Sequence, residues 1–233
     1  GVEIAGNLTG SNGSVVQGDT TNGTGVDIGK QIILDGGLDD LLNVTGNASG
    51  ENGTGVQLDG INILDNTLLA GNATNGTGVD INGLLQNEGN TTIGGQSDHG
   101  NGVQLGGAVS GGTVNGTSAN GSGIKVVNDS NLNNAILNGN SPDGKGVEIA
   151  GNLTGSNGSV VQGETTNGTG VDVGENVTLS GPAPDDLLTV TGNATGEKGT
   201  GVQLEGNNTL NDTTLSGNPI DGHGVAITGP VSN

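Results

Sequence analysis

The chain lacks Cys, Met, Arg and every aromatic residue, and its only cationic side chains are four lysines. Aromatic and Arg side chains supply most binding hot spots and base-stacking platforms, and Lys and Arg supply contacts to phosphate. Because the formal net charge is −20, the composition excludes a nucleic-acid-binding protein, and an anionic membrane surface would repel the chain. Globular cores usually contain large aromatic side chains, so an ordinary compact globule is not expected.

Gly is abundant, at 51 of 233 residues, and low hydrophobicity with one sign of charge is typical of disordered chains. Periodicity argues against disorder, because a disordered sequence has no reason to keep a β-branched pair in phase. Collagen is excluded because Gly does not occupy every third position. The tetrapeptide Gly-[Val/Ile]-x-[Ile/Leu/Val] recurs at intervals of 21 to 31 residues, starting at Gly1, Gly25, Gly55, Gly78, Gly102, Gly123, Gly146, Gly170, Gly201 and Gly224.

A longer duplication contains this short repeat. Residues 1–29 and 146–174 differ only at Asp19 versus Glu164 and at Ile28 versus Val173. The offset of 145 residues equals six short repeats, and the second copy continues with one residue inserted near Pro182. We therefore interpret 1–233 as one continuous repeat segment of a larger chain, with a six-coil block at 1–145 and a partial second copy at 146–233.

Each repeat contains three short apolar pieces separated by Gly, Asn, Asp and Ser. Gly and β-branched residues at a period of two disfavour helix, and a strand of three to five residues buries almost nothing alone. Stacked coils solve this problem, because each strand pairs with its equivalents about 4.8 Å above and below. The sequence predicts an all-β, single-stranded parallel β-helix (β-solenoid), right-handed, with three strands and 21–31 residues per coil. Gly and Asn are expected at corners that need positive φ.

The predicted stacking places one outward residue of each first strand in a single column. From coil to coil this column reads Glu3, Asp27, Gln57, Asp80, Gln104, Lys125, Glu148, Asp172, Gln203 and Ala226. Two acidic neighbours, as in Glu3/Asp27 and Glu148/Asp172, could hold a cation, but two residues make a poor calcium site and a solvated surface ladder is the alternative. The calcium-binding Gly-Gly-x-Gly-x-Asp repeat of other β-solenoids does not occur. We predict no metal site and no cofactor.

Some β-helices are polysaccharide lyases or hydrolases, whose clefts need converging acids. The candidate pairs here are Asp39-Asp40 and Asp185-Asp186, at equivalent places in the two longest coils. Our interpretation is a loop that bulges from an extended coil. His99 and His223 have no neighbouring Ser or Asp that would complete a catalytic triad, and we interpret both as exposed turn residues. We predict no catalytic residue and no enzymatic activity.

Nineteen Asn-x-Ser/Thr triplets without an intervening Pro occur in the chain. A chain rich in Asn, Ser and Thr generates such triplets by chance, and Asn-Gly at a corner already has a turn role. Modification by glycans remains a second interpretation for some of them. The candidate acceptors are Asn22, Asn52, Asn75, Asn115 and Asn167.

The cadence Asn-Gly-Thr-Gly-Val-x-[Ile/Leu], as at 22–28 and 75–81, resembles large bacterial adhesins. These are the filamentous-haemagglutinin-like exoproteins of two-partner secretion and the passenger domains of autotransporters. The resemblance implies a Gram-negative exoprotein, exported unfolded through an outer-membrane translocator and located at the cell surface or secreted. It also implies a β-helical stalk that attaches to a host-cell or matrix receptor or a surface glycan. Absence of Cys suits such export, because no disulfide can block threading.

Two other functions stay open at this point. An ice-binding solenoid would show flat Thr-x-Thr rows on one face, and only Thr189-Val190-Thr191 has that form. A carbohydrate-active β-helix, such as a phage tailspike or lyase, would show a cleft with converging acids. With no signal peptide, secretion domain or translocator in the sequence, we expect the segment to be an internal piece of its parent protein.

Overall fold

The computed structural model describes residues 1–37 and 40–233, and regular structure there consists of β-strands. Within these residues there is no helix long and apolar enough to cross a membrane. In chain order the strands are β1 (Val2–Ile4), β2 (Leu8–Thr9), β3 (Val15–Thr20), β4 (Thr24–Ile28), β5 (Ile32–Asp35), β6 (Leu42–Ala48), β7 (Thr54–Asp65), β8 (Thr67–Ala73), β9 (Thr77–Glu88), β10 (Thr92–Ser97), β11 (Asn101–Leu105), β12 (Ala108–Ser110), β13 (Thr113–Ser118), β14 (Ser122–Val126), β15 (Ser130–Asn133), β16 (Ile136–Asn140), β17 (Lys145–Ile149), β18 (Leu153–Ser156), β19 (Val160–Thr165), β20 (Thr169–Val173), β21 (Thr178–Ser180), β22 (Leu188–Ala194), β23 (Gly199–Leu204), β24 (Asn208–Asn211), β25 (Thr213–Pro219), β26 (Gly222–Ile227) and β27 (Val231–Ser232).

The strands form three faces of a parallel solenoid of about 10 turns, so the predicted all-β parallel β-helix is confirmed. The first face carries the Gly-Val motifs and contains β1, β4, β11, β14, β17, β20, β23, β26 and the N-terminal halves of β7 and β9. The second face contains β2, β5, β12, β15, β18, β21, β24, β27 and the C-terminal halves of the same two strands. The third face is a separate 9-stranded sheet that runs from β3 to β25.

The first two faces join into one 18-stranded sheet, which the sequence did not predict. In coils three and four, β7 and β9 each continue through the corner as single 12-residue strands. Gly60 and Gly83 pair at that corner, and a Cβ on Gly83 would lie 1.8 Å from the Gly60 carbonyl oxygen. Glycine at both positions therefore lets the backbone bend while its ladder of hydrogen bonds continues.

The register of the coils agrees with the predicted columns. Glu3 pairs with Asp27, Lys125 with Glu148 and Glu148 with Asp172, and the other members of the outward first-face column pair in the predicted order. Inside the solenoid, like aliphatic residues stack on like residues, as Val56 does on Val26 and Val79. Each fully buried Val, Ile or Leu side chain contributes about 1.5–3 kcal/mol relative to exposure. Many small equal contributions thus replace a large aromatic core.

Glycines of the first and third faces lie back to back. A Cβ on Gly46 would lie 1.9 Å from the carbonyl oxygen of Gly55, and one on Gly71 would lie 2.0 Å from that of Gly78. None of these four residues has positive φ, so the repeated motif glycine serves close sheet-to-sheet contact rather than a corner. The predicted corner role is confirmed for other residues, among them Asn12, with φ of 55°.

Candidate functional site

A cluster of four charged side chains lies where the two sequence copies meet. This junction cluster consists of Lys125, Lys145, Glu148 and Asp172, held on β14, β17 and β20 of the first face. Lys145 Nζ lies 2.6 Å from Asp172 Oδ2 and 2.9 Å from Glu148 Oε1, and Lys125 Nζ lies 3.2 Å from Glu148 Oε2. Lysine ammonium groups therefore neutralise the acidic pair that sequence analysis considered as a cation site.

The junction cluster favours the ionised forms of Glu148 and Lys145. Burial by itself opposes ionisation of Glu148, but hydrogen bonds from Lys145 and Ser122 and the charges of both lysines hold its pKa below the usual value. Burial likewise opposes the charge on Lys145, yet its hydrogen bonds and ion pairs with Asp172 and Glu148 raise its pKa. Lys145 lies outside the predicted column, because it pairs with Ser122 and Thr169 in the ladder. Column reasoning therefore missed it, although its place three residues before Glu148 is visible in the sequence.

Two acids of the same column in the first copy, Asp27 and Asp80, have a different environment. Burial raises the pKa of Asp27, and the charges of Asp59 and Glu3 raise it further. Burial also raises the pKa of Asp80, although hydrogen bonds from Asn82 and Gln104, at 3.1 and 3.2 Å, partly offset this. Among residues 1–37 and 40–233 no group of three or more His, Asp or Glu side chains has an arrangement that could hold a metal ion.

One acid of each pair in the two long coils, Asp40 and Asp186, accepts hydrogen bonds from backbone amides. The backbone N–H groups of Asn157 and Gly158 donate to Asp186 Oδ2 and Oδ1, at 2.7 and 3.0 Å. In the first copy, the Asn12 N–H donates to Asp40 Oδ2 at 2.9 Å. Asn12 and Asn157 both have positive φ, so each carboxylate caps a tight turn of the preceding coil. Asp185 is exposed in the adjacent turn, and Asp39 lies outside the described residues.

The two histidines are both exposed, but only one lies in a turn. His99 follows β10, and its Nδ1 lies 3.1 Å from Asn120 Nδ2. The prediction of a turn is wrong for His223, which belongs to β26 and pairs with Thr200 of β23. The ladder continues through His223 because the preceding Gly222 turns the chain with a φ of 124°.

Four of the five candidate glycan acceptors occupy one exposed corner. Asn22, Asn52 and Asn75 lie two residues before Thr24, Thr54 and Thr77, which pair in register. Asn167 occupies the same place before Thr169, and its Nδ2 donates to Asp143 Oδ1 at 3.1 Å.

Asn115 differs from the other four acceptors. It is half-buried in β13, and its Oδ1 accepts a hydrogen bond from Asn138 Nδ2 at 3.2 Å. Asn115 is therefore less accessible to a glycan than the four exposed corner residues, of which Asn167 already engages its Nδ2 in a hydrogen bond.

A row of polar side chains lies along the third face, and sequence analysis did not identify it. Asp19, Asn47, Asn72 and Gln96 stack in register, with Asn47 Nδ2 donating to Asp19 Oδ1 at 2.6 Å and Asn72 Nδ2 to Asn47 Oδ1 at 2.8 Å. These residues line an open groove of about 490 Å³. A signal was present, because Gly-Asn follows the apolar third-strand position at Gly46-Asn47, Gly71-Asn72, Gly192-Asn193 and Gly217-Asn218.

The chain was compared with protein families, curated proteins and solved structures. No protein family, curated protein or solved structure matches this chain. The architecture is that of a β-helical repeat protein.

Proposed function

We propose that the chain is a structural and adhesive repeat segment of a large bacterial exoprotein, secreted or displayed at the cell surface. The observation that carries this proposal is the uniform stacking of about 10 coils, in register throughout, which yields a rigid rod with open grooves. Charge supports it, because a net charge of −20 keeps a repetitive β-protein soluble and discourages lateral association of rods.

The proposed export route follows the resemblance to filamentous-haemagglutinin-like exoproteins and autotransporter passengers. A chain without Cys passes unfolded through an outer-membrane translocator without forming disulfides. Coils that contact only their neighbours can then form one after another outside the cell. The first-face strands support such vectorial folding, since each pairs with the strands of the coils directly before and after it.

The proposed partner is a host-cell or matrix receptor or a surface glycan, and the third-face groove is the surface that suits a glycan. Its lining amides and carboxylates offer both donors and acceptors to sugar hydroxyl groups. The exposed corner with Asn22, Asn52, Asn75 and Asn167 is the proposed place for any glycans that the protein itself carries.

Beads coated with the full chain test the proposal, through attachment to epithelial cells and matrix-coated surfaces and through a glycan array. We expect attachment that N47A/N72A weakens and that Asn131→Ala, on the exposed side of β15, leaves unchanged. If beads coated with the folded chain attach to no cell, matrix surface or glycan, the adhesive role is contradicted. Hydrolysis assays on the same glycans should show no turnover. Turnover lost in D185N/D186N would establish a carbohydrate-active enzyme instead.

A further inference from the structure

An apolar patch lies on the outside of the second face, in coils two to four. This isoleucine patch consists of Ile33, Ile61, Ile63 and Leu84, on β5, β7 and β9. Ile61, Ile33 and Leu84 expose 51%, 41% and 38% of their surface. The members touch in register, because Ile33 pairs with Ile63 and Ile61 pairs with Leu84. Exposed aliphatic residues gathered in this way mark an interaction surface more often than single ones do.

A column of carboxylates borders the isoleucine patch. Asp35 pairs with Asp65 and Asp65 pairs with Glu88, so three acids stack on successive coils about 4.8 Å apart. Like charges directly opposite each other destabilise a sheet. Asp35 also has a local role, because its Oδ1 accepts a hydrogen bond from the Gly37 N–H at 2.7 Å. Asp59 adds a fourth acid at the other border, and Lys30, packed over Gly60, is the cation nearest the patch along the chain.

The second sequence copy provides an internal comparison. The positions equivalent to Ile33, Ile61 and Ile63 are Thr178, Asn207 and Thr209, and those equivalent to Asp35 and Asp65 are Ser180 and Asn211. Their register is the same, since Thr178 pairs with Thr209 and Ser180 with Asn211. Inward residues at the same places stay aliphatic, with Val177, Leu179 and Leu210 in place of Ile32, Leu34 and Leu64. The fold therefore requires neither the apolar patch nor two of its bordering acids.

We propose that the isoleucine patch and its acidic column form a docking surface for a cationic, amphipathic segment of another protein. Such a segment covers the aliphatic side chains with its own apolar residues and places Lys or Arg against Asp35, Asp65 and Glu88. A second copy of this chain is a poor occupant, because it carries a charge of −20 and four lysines. An anionic membrane is a poor occupant for the same electrostatic reason. This docking surface goes beyond the proposed adhesive role and does not depend on it.

The test uses the full chain and three short synthetic peptides. One alternates Lys and Leu, one alternates Lys and Ser, and one alternates Glu and Leu. Fluorescence anisotropy of labelled peptides should show salt-sensitive binding of the Lys/Leu peptide, with affinity reduced at least about tenfold for the other two. No binding of the Lys/Leu peptide, or equal binding of the Lys/Ser peptide, would overturn the proposal.

Variants built from the second copy locate the binding. I33T/I61N/I63T installs residues that already occupy the equivalent places in the same fold, and it should reduce affinity for the Lys/Leu peptide about tenfold or more. The reverse exchange, T178I/N207I/T209I with S180D/N211D, should create a second binding site. Circular dichroism and the Tm confirm that each variant is folded. Unchanged binding in I33T/I61N/I63T overturns the docking surface, while the bead attachment of the same variant reports separately on adhesion.

Discussion

At the scale of single residues, the solenoid depends on a buried amide that looks like any other Asn in the sequence. Asn62 is 1% exposed, its Oδ1 accepts a hydrogen bond from the Ile32 N–H at 3.0 Å, and its Nδ2 donates to the Asp59 carbonyl oxygen at 2.9 Å. Asn208 repeats both contacts in the second copy, with Val177 and Glu205. In each copy one side chain thus satisfies two backbone groups at a corner between coils.

Replacing Asn62 with Leu should lower the free energy of unfolding by about 2–4 kcal/mol, because it leaves a buried N–H and a carbonyl without partners. The measurement is urea denaturation followed by far-ultraviolet circular dichroism, since the chain has no aromatic fluorophore. Asn207→Ala, at the exposed neighbour of Asn208, is the control and should change little. Equal stability of the Asn62→Leu variant and the parent chain would contradict this role.

Some glycines of the third face have no room for a side chain, and others do. Gly46→Ala places a Cβ 1.9 Å from a backbone oxygen, and we expect a loss of at least about 1–3 kcal/mol from overpacking. Gly94→Ala lies in the same sheet, where a Cβ meets nothing within 4 Å, and should be neutral or slightly stabilising. Thermal unfolding of both variants decides the matter. Similar Tm values for the two would show that the close sheet contact is not rigid.

At the scale of elements, the two equivalent first-face acid pairs have opposite electrostatic character. The junction cluster has two lysines among its acids, and its Glu148 has a lowered pKa. Asp27 of the first copy has a raised pKa because it is buried near other acids. The two acid pairs therefore differ in their charged surroundings although their own sequences are nearly identical, since the neighbouring coils differ.

Lys145→Gln should lower the free energy of unfolding at pH 7 by about 1–2 kcal/mol, because Glu148 and Asp172 lose their nearest cation. A lowered folded-state pKa stabilises above the unfolded value and loses that contribution as the pH falls. The deficit of the variant should therefore persist from pH 7 to about pH 5 and shrink as the pH falls below 4.5 and through the lowered pKa of Glu148, which unfolding measured down to about pH 3 checks. Lys198→Gln, at an exposed corner, serves as the control. A deficit that stays constant with pH would exclude an ionic origin.

Asp27→Asn should have the opposite effect and raise the Tm at pH 7. A raised folded-state pKa means that the charged carboxylate destabilises the fold at neutral pH and that protonation relieves this as the pH falls. The advantage of the variant should consequently fade on acidification. Thermal unfolding from pH 7 to pH 4 measures it, and a lower Tm for the variant at pH 7 would show that Asp27 has a stabilising partner.

At the scale of the whole molecule, net charge and repetition dominate. A formal charge of −20 spread over stacked coils places many carboxylates within a few coil spacings of one another. Such self-repulsion destabilises the compact state while it keeps the rods apart in solution. The junction cluster and the amide ladders offset this repulsion locally.

Added NaCl should therefore raise the Tm of the full chain, most steeply up to about 0.15 M, where the Debye length falls to about 8 Å. Salt screens the repulsion among the many acids, and this gain in stability exceeds the stability lost by screening the ion pairs of the junction cluster. Differential scanning calorimetry of the full chain over a series of NaCl concentrations measures this change in Tm. A Tm that falls with salt would mean that ion pairs, rather than repulsion, dominate the electrostatics of the solenoid.

Much of the fold was predictable because a solenoid turns sequence period into spatial register. The ten Gly-[Val/Ile] motifs determined the first-face column, and the apolar third-strand residues determined another, so Val44 does stack on Val16 and Leu69. Within the candidate site, prediction succeeded where a residue lies on such a column, as Glu148 does, and missed Lys145, which reaches the same carboxylate from a different register position. The predicted turn at His223 was wrong because β26 begins at Gly222, so His223 already lies in the strand and pairs with Thr200.

By itself the sequence determined the coil, its register and the aliphatic filling, since those follow from local period and side-chain size. Only the tertiary structure showed why the repeated motif requires glycine, which Asn side chain is buried, and which carboxylates form ion pairs with lysine. The physical reason is that these depend on distances between residues one coil or one face apart, such as the approach of Gly46 to Gly55. The isoleucine patch depends on both the sequence and the tertiary structure. Its residues are visible in the sequence, but only the fold places Ile33 beside Ile63 and Asp35 beside Asp65 on an outer face.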